Sequence, residues 1–202
     1  NRLGANSLLS AIYGGMVAGP NAVKYINGLE KSSDAVSSDV YNGHVMEQQD
    51  KWNNIMKMDG TENAYVIHKE LGEWMTDNVT VVRYNDALLK TDEKIQELIE
   101  RYQNININDT AKWSNQGAAF TRQLDNMLQL SRVITLGAYN RNESRGAHYK
   151  PDFPERNDED FLKTTMAKFT GTTTAPELFY EEVDVSLIKP RKRDYSKSKG
   201  GN

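Results

Sequence analysis

The sequence predicts a mainly α protein, an antiparallel helical bundle followed by a small C-terminal α+β subdomain that contains a β-hairpin. Four long segments carry apolar residues at helical spacing, and short polar turns join them. After Asn140 the helical pattern stops, and two segments rich in β-branched and aromatic residues follow. The 202 residues are enough for one large domain or two small ones.

The first predicted helix follows a glycine turn and an Asn/Ser cap in residues 1–7, and it is expected to end at Gly19 and Pro20. Almost nothing polar interrupts its surface, and its main apolar face consists of Leu8, Leu9, Ile12, Met16 and Val17. A helix of this kind needs burial on all sides. We therefore expect the chain to be a fragment of a larger protein that covers this helix.

A short amphipathic helix over residues 21–29 and a polar connection over residues 30–39 are expected next. Four longer helices are then predicted from their apolar stripes, over residues 38–58, 64–75, 88–102 and 120–138. Ser114 is the expected cap of the last of these helices. Amphipathic helices joined by short turns favour an antiparallel bundle.

The C-terminal region is predicted to be irregular at first and then β-structured. Pro151, Pro154 and the acidic run over residues 157–160 are expected to break any helix. Strands are predicted over residues 161–170 and 177–188. The short segment between them is rich in glycine and threonine, which favours a hairpin.

Charge is distributed unevenly along the chain. Residues 189–199 contain six basic residues and one acidic residue, whereas the rest of the chain contains 19 basic and 27 acidic residues. An acidic body repels phosphate groups, so we expect no nucleic-acid partner. The basic tail is expected either to be a solvated end or to contact anionic lipid or a partner protein.

The sequence lacks the motifs of several common sites. It contains no G-x-G-x-x-G fingerprint, no phosphate-binding P-loop, no H-E-x-x-H pair and no cysteine. His44, His68 and His148 lie far apart along the chain. We therefore expect no metal site.

Arg2 is the first candidate for a binding residue. It lies in a glycine-containing turn directly before the first helix, where a guanidinium and the free N–H groups of the helix start converge. This region should attract an anion. Arg2 could equally pair with a structural carboxylate.

Residues 141–158 form the second candidate segment, because charged residues and glycine are dense there. Arg145 and His148 could bind a carboxylate. They could equally satisfy Glu143 and Asp152, so that the loop is held by its own ion pairs.

These segments resemble motifs of the succinate dehydrogenase and fumarate reductase flavoprotein subunits. Residues 1–9 are similar to the flavin-side motif of that family, and their sequence resembles that of the Gram-positive type of subunit. Gly72–Val79 is similar to a segment of the family's helical domain. Later family motifs are matched, in order, by Glu143–His148, Asp152–Asp158 and Phe161–Thr164.

The resemblance implies specific roles for the first residues. Arg2 would bind a carboxylate of succinate or fumarate, and Ser7 and Leu8 would contact FAD. The positive end of the helix that begins near Ser7 would favour the reduced flavin. No catalytic residue is assigned, because the proton-donating arginine and the histidine that tethers FAD would lie before Asn1.

The resemblance also implies an architecture and partners. Residues 1–30 would be the remnant of an FAD-binding domain, residues 31–143 a helical bundle domain and residues 144–202 a C-terminal subdomain with the basic tail. The full-length subunit would oxidise succinate and pass electrons to an iron–sulfur subunit, with an indirect link to a membrane anchor subunit. It would lie peripherally at the cytoplasmic side of the cell membrane. The fragment alone is expected to be inactive and to bind no FAD.

Two further hypotheses remain open at this point. One keeps the family but changes the reaction, to fumarate reduction or to oxidation of an amino dicarboxylate as in L-aspartate oxidase. The other belongs to a different class, a self-standing helical interaction module without a catalytic domain. The apolar surface of the first helix argues against the second hypothesis.

Overall fold

The computed structural model describes residues 7–191. Within these residues the helices are α1 (Ser7–Asn27), α2 (Ser38–Ile55), α3 (Ala64–Asn78), α4 (Asn85–Tyr102), α5 (Gln116–Asn140) and α6 (Asp158–Phe161). A short 3-10 helix, Ser33–Ala35, precedes α2. The strands are β1 (Lys163–Lys168) and β2 (Glu177–Glu182). The predicted mainly α fold class is confirmed.

The chain divides into two compact units. Unit 1 comprises the residues up to Gly72 together with Glu97–Leu128, and unit 2 comprises Glu73–Gln96 together with the residues from Gln129 onward. Helices α3 and α5 begin in unit 1 and end in unit 2, whereas α4 runs in the opposite direction. These three helices therefore run in alternating directions.

Each unit has its own apolar core. The core of unit 1 is built from residues that are at most 7% exposed, namely Ile55, Ala64, Ile67, Leu71, Leu98, Ile99, Tyr102, Ile105, Ala118, Leu124 and Leu128. In unit 2, the buried cluster of Val79, Leu88 and Ala138 packs against Met75 and Tyr139. The buried positions follow steps of three and four residues, as expected for helices that bury one face.

Strands β1 and β2 form the predicted antiparallel hairpin, with Thr165 opposite Tyr180. Both strands are shorter than predicted. β1 starts two residues later because α6 occupies the preceding residues, and β2 ends at Glu182. Lys163 and Lys168 each lie opposite a glutamate across the hairpin, Glu182 and Glu177 respectively, so opposite charges support the register.

Helix α1 differs from the prediction, because Pro20 lies inside it and does not end it. The separate helix expected over residues 21–29 is part of the same helix. A proline removes one backbone donor and usually breaks a helix interior. The side-chain amide of Asn21, the residue after Pro20, donates to the carbonyl oxygen of Val17 at 2.8 Å.

Two local predictions were wrong, and in both places an asparagine side chain caps the helix. At the start of α5, the Oδ1 atom of Asn115 accepts the N–H of Ala118 at 2.8 Å, whereas Ser114 adopts φ +56°. In the acidic run, Asn157 Oδ1 accepts the N–H groups of Glu159 and Asp160, and α6 forms there. Acidic residues are favourable in the first turn of a helix.

Candidate functional site

The amino end of α1 carries two of the residues assigned by the family resemblance. Arg2 lies outside the described residues. Ser7 is the first residue of α1, and both Ser7 and Leu8 are exposed. The first turn contains no acidic residue. The amino end of this 21-residue helix carries partial positive charge, which favours an anion or an electron-rich ring edge beside it.

The sides of α1 are exposed as well as its end. None of its residues is buried. Leu8, for example, is 79% exposed and Met16 is 69% exposed. Its other large apolar residues are also exposed: Leu9, Ile12, Tyr13, Val17, Val23, Tyr25 and Ile26. An apolar surface of this extent is typical of an interface. The expectation that this helix lacks its packing neighbour within the chain is confirmed for residues 7–191.

Glu143 is the centre of a charged loop in unit 2, and its side chain is completely buried. Its carboxylate accepts the Nε–H of Arg141 at 2.8 Å and two N–H groups of Arg145 at 2.8 and 3.0 Å. The backbone N–H of Asn157 donates to it at 2.9 Å. Arg145 also donates to Asp158, which receives a further bond from Arg156. The loop is therefore held by its own ion pairs, one of the two alternatives that the sequence left open.

The charges of this loop stabilise one another. Burial alone would raise the pKa of Glu143, but the bonds from Arg145, from the backbone of Asn157 and from Arg141 outweigh burial and hold that pKa below 4.5. The bond from Arg145 is the main cause that lowers the pKa of Asp158. Both carboxylates are therefore ionised at neutral pH and act as structural acceptors.

Arg141 links this loop to the hairpin. Its Nη1 atom donates to the backbone oxygen of Lys163 and to Oγ1 of Thr165, both at 3.0 Å. Its Nη2 atom donates to the backbone oxygen of Phe161, and the guanidinium lies 5.5 Å from the centre of the Phe161 ring. One arginine therefore connects the end of α5, the buried Glu143 and the start of β1.

His148 is buried and does not pair with Asp152. Its Nδ1 atom contacts Nη1 of Arg83, and its Nε2 atom lies 2.9 Å from the backbone oxygen of Arg141. Burial is the main cause that lowers the pKa of His148, and the neighbouring cations Arg83, Lys150 and Arg141 act in the same direction. A neutral imidazole can accept from Arg83 at Nδ1 and donate to the carbonyl at Nε2. We assign His148 a structural role.

Lys150 adds a second buried cation, with only 1% of its surface exposed. Its Nζ atom donates to Asn85 Oδ1 at 2.6 Å, to the backbone oxygen of Tyr139 at 2.8 Å and to Asn142 Oδ1 at 3.0 Å. Burial, with a contribution from Arg83, lowers the pKa of Lys150 to about 8. Its three acceptors are neutral oxygens, so they satisfy the ammonium without neutralising it.

The pKa of Lys150 predicts how stability changes with pH. The folded value is about 8 and the ordinary value is 10.5, so the unfolded chain binds more protons between these limits and the free energy of unfolding rises with pH. Lys150→Met lacks the titrating ammonium, so its free energy of unfolding should not show this rise. Relative to wild type, the variant is therefore expected to lose stability as the pH rises from about 8 to about 10.5, by at most about 1.4 kcal/mol per pH unit. Urea unfolding at several pH values measures it.

Lys168→Met is the matched control for that experiment, because it removes an exposed ammonium from the hairpin. A deficit of Lys150→Met that stays constant from about pH 8 to about pH 10.5 would contradict the assignment of a buried, destabilised charge to Lys150.

Several residues of these networks escaped the sequence reasoning. Arg83 and Asn85 lie 65 residues away from their partners His148 and Lys150. In unit 1, Arg101 binds Glu62 and Glu70 across separations of 39 and 31 residues. No local spacing connects such residues. Of the two pairs in unit 2, only His148 and Lys150 lie in residues 141–158, the segment that is dense in charged residues.

The remaining histidines occupy ordinary surface positions in unit 1. His44 lies 3.8 Å from Glu47, one turn further along α2. The ring of His68 meets the ring of Phe120 edge-on at a centroid distance of 5.4 Å. Each of these two histidines therefore has a local contact within unit 1.

Comparisons with known proteins identify the relatives of this chain. A family model described as "Fumarate reductase flavoprotein C-term" matches residues 68–195. The succinate dehydrogenase flavoprotein subunit of Bacillus subtilis (strain 168) is 75% identical over 98% of this chain and 34% of that protein. The fumarate reductase flavoprotein subunit of a Serratia strain is 33% identical over 96% of this chain and 32% of that protein.

Solved structures share the fold. A structure of the quinol fumarate reductase of Escherichia coli aligns with a TM-score of 0.81 and 29% identity, over 95% of this chain and 32% of that chain. The Sdh1 complex of Mycobacterium smegmatis in the apo form aligns with a TM-score of 0.72 and 26% identity, over 90% of this chain and 30% of that chain.

The chain belongs to the family of fumarate reductase and succinate dehydrogenase flavoprotein subunits, and it matches the C-terminal region of that family. It spans about a third of the length of these relatives. It is far more similar to the succinate dehydrogenase subunit of B. subtilis than to the Serratia fumarate reductase subunit. No helix within residues 7–191 has both the length and the apolar composition needed to cross a membrane.

Proposed function

We propose that this chain is the C-terminal third of a succinate dehydrogenase flavoprotein subunit. The full-length subunit oxidises succinate to fumarate and passes two electrons to an iron–sulfur subunit. The observation that carries this proposal is the 75% identity to the B. subtilis succinate dehydrogenase subunit across 98% of the chain. The identity to the Serratia fumarate reductase subunit is only 33%, which favours succinate oxidation over fumarate reduction.

The amino end of α1 fits the role of a flavin contact. The FAD would supply the two-electron redox chemistry. Ser7 and Leu8 are exposed at the first turn of the helix, and no acidic side chain there opposes negative charge. This end of α1 therefore stabilises charge that develops on a bound ring edge, by about 0.3–1 kcal/mol at an exposed site and more in a dry one.

Arg2 has the substrate-binding role in this proposal. A guanidinium offers parallel N–H groups that match the two oxygens of a carboxylate. Arg2 would hold one carboxylate of the dicarboxylate substrate and limit the positions that its carbon–carbon bond can take. Such positioning is a large part of the catalytic effect when two groups must react in one orientation.

The exposed surface of α1 supports an interface with the rest of the subunit. We assign residues 1–30 to the FAD-binding domain, residues 31–143 to the helical domain and residues 144–202 to the C-terminal subdomain. The FAD-binding and capping domains would precede residue 1 and cover α1. The subunit would lie peripherally on the cytoplasmic side of the membrane and reach the membrane anchor only through the iron–sulfur subunit.

Purification of the 202-residue chain tests the proposal. Because α1 contributes only one edge of the flavin site, the chain alone is expected to show no flavin absorbance and no succinate-dependent dye reduction. The flavoprotein subunit that contains this chain is expected to show both, and it serves as the positive control. One FAD per isolated chain, or dye reduction by it, would overturn the assignment of the chain as a dependent part of the subunit.

A further inference from the structure

The exposed part of the chain does not end with α1. Every residue from 7 to 47 is exposed in the structure, so this part includes the first half of α2 as well. Packing begins further along α2, where Gln48 and Trp52 are half-buried and Ile55 is buried. The proposed function accounts for the exposure of α1, but it assigns no role to residues 31–47.

One face of α2 crosses from the packed part of the chain into the exposed part. Tyr41, Val45, Gln48 and Trp52 follow one another at steps of three and four residues, so they share one face of the helix, and we refer to them as the α2 stripe. Trp52 is half-buried at one end of the stripe, whereas Val45 is 64% exposed toward the other end. A largely apolar face of this kind is typical of a helix that packs against a further neighbour along its exposed half.

An open groove of about 420 Å³ lies beside the α2 stripe, within unit 1. It is lined by His44, Val45, Gln48, Gln49, Trp52 and Arg122. Arg122 of α5 donates to Oε1 of Gln48, so a side-chain contact still joins α5 to α2 at this point. Closer to the start of α2, every residue is exposed. The groove therefore marks the place where a further element can pack against the stripe.

The connection between α1 and α2 limits how far apart the two exposed helices can lie. Residues 28–37 span at most about 35 Å when fully extended, and the 3-10 helix Ser33–Ala35 shortens them. The hydroxyl of Tyr41 donates to the backbone oxygen of Ser33 at 3.3 Å, so part of the connection is held against α2. A domain that covers α1 therefore lies within reach of the α2 stripe.

We propose that the part of the flavoprotein subunit that precedes residue 1 covers the α2 stripe as well as α1. This inference rests on the proposed function. The chain matches the C-terminal region of the family and spans 34% of the length of the B. subtilis relative, so the preceding part is large enough to contact both helices. The interface then continues past residue 30 and gives the helical domain a second contact with the preceding domains.

Thiol labelling of the flavoprotein subunit tests this interface, and the 202 residues contain no cysteine of their own. Val45→Cys places a thiol on the α2 stripe, Asp50→Cys places one on the opposite face of α2, and Ile12→Cys places one on α1. Peptide mass spectrometry after timed reaction with N-ethylmaleimide measures the rate at each position. We expect Val45→Cys and Ile12→Cys to react at least about tenfold more slowly than Asp50→Cys, because a covered thiol reacts only when the interface opens.

The three positions separate this inference from the proposed function. If Ile12→Cys reacts slowly but Val45→Cys reacts as fast as Asp50→Cys, the α2 interface is overturned and the proposed function stands. Fast reaction of Ile12→Cys would contradict the proposed function, and with it this inference.

The rates are measured with and without the iron–sulfur subunit and at two protein concentrations, because other occupants of the stripe respond differently. Protection of Val45→Cys that requires the iron–sulfur subunit would assign the stripe to that subunit. Protection that disappears on dilution would assign it to a second copy of the flavoprotein. Either result would overturn the proposal.

Val45→Glu supplies a second measurement that does not depend on labelling. Glutamate is a better helix former than valine, so this substitution should not destabilise an exposed helix. Against a covering domain it buries an unpaired carboxylate, and the unfolding temperature of the flavoprotein subunit should fall by at least about 3 °C. Asp50→Asn changes one charge on the opposite face and should stay within about 1 °C of wild type. An unfolding temperature of Val45→Glu equal to that of wild type would overturn the proposal.

Discussion

Glu143→Gln is expected to destabilise the 202-residue chain by about 3–5 kcal/mol, because breaking a buried ion pair from one side leaves its partners uncompensated. The variant preserves the shape of the side chain. It removes the negative charge that faces Arg141 and Arg145, whose own side chains are only 14% and 26% exposed. It also weakens the acceptor for the backbone N–H of Asn157. Urea unfolding, followed by circular dichroism, measures the loss.

Glu47→Gln is the matched control. Glu47 pairs with Lys51 at 2.7 Å along α2, but its side chain is 53% exposed, and solvent screens an exposed pair of this kind, so its loss should change stability little. A loss of less than about 1 kcal/mol for Glu143→Gln would show that the charged loop is not a buried network.

The same variant predicts a pH dependence. Because the pKa of Glu143 in the folded chain lies below 4.5, its contribution to stability is present above pH 4.5 and is lost as the pH falls below that value. The free energies of unfolding of wild type and Glu143→Gln should therefore approach each other as the pH falls. A difference in unfolding free energy that does not shrink in acid would argue against an ionised Glu143.

Under the proposed function, Arg2→Ala in the flavoprotein subunit is expected to lower succinate turnover by about 100-fold or more, because Arg2 would be the group that positions the substrate. The bound FAD should remain, since Ser7 and Leu8 and the helix start are unchanged. Steady-state kinetics with succinate and the absorbance of the purified flavoprotein measure the two effects separately.

Arg2→Lys supplies the control for charge. Lysine keeps one positive charge but lacks the two parallel N–H groups of a guanidinium, so we expect only partial recovery of turnover. Wild-type kinetics in Arg2→Ala would remove Arg2 from the substrate site. Loss of FAD together with activity would instead assign Arg2 to the flavin site.

The helices of the bundle are the part of the fold that local pattern predicts well. Ile67 and Leu71, or Leu124 and Leu128, recur at helical spacing, and all four are buried in the structure. The apolar residues all round α1 also predict that it needs a covering neighbour, and the helix is exposed in the structure. These features depend only on the order of side chains along one helix.

Caps and helix ends are less predictable, because they depend on which of several adjacent polar side chains reaches a backbone group. Ser114 and Asn115 are both plausible caps by residue type, and the structure selects Asn115. Pro20 is expected to end α1 by its own chemistry, yet the helix continues to Asn27.

By itself, the sequence determined the helical bundle, the hairpin, the exposed apolar helix and the family to which the chain belongs, because these follow from periodicity and contiguous motifs. Only the tertiary structure decided that Arg145 binds Glu143, that His148 faces Arg83 and that Lys150 is held by three neutral oxygens. The physical reason is that charge pairing and hydrogen bonding depend on distance in space, and folding brings together residues that are far apart in the chain.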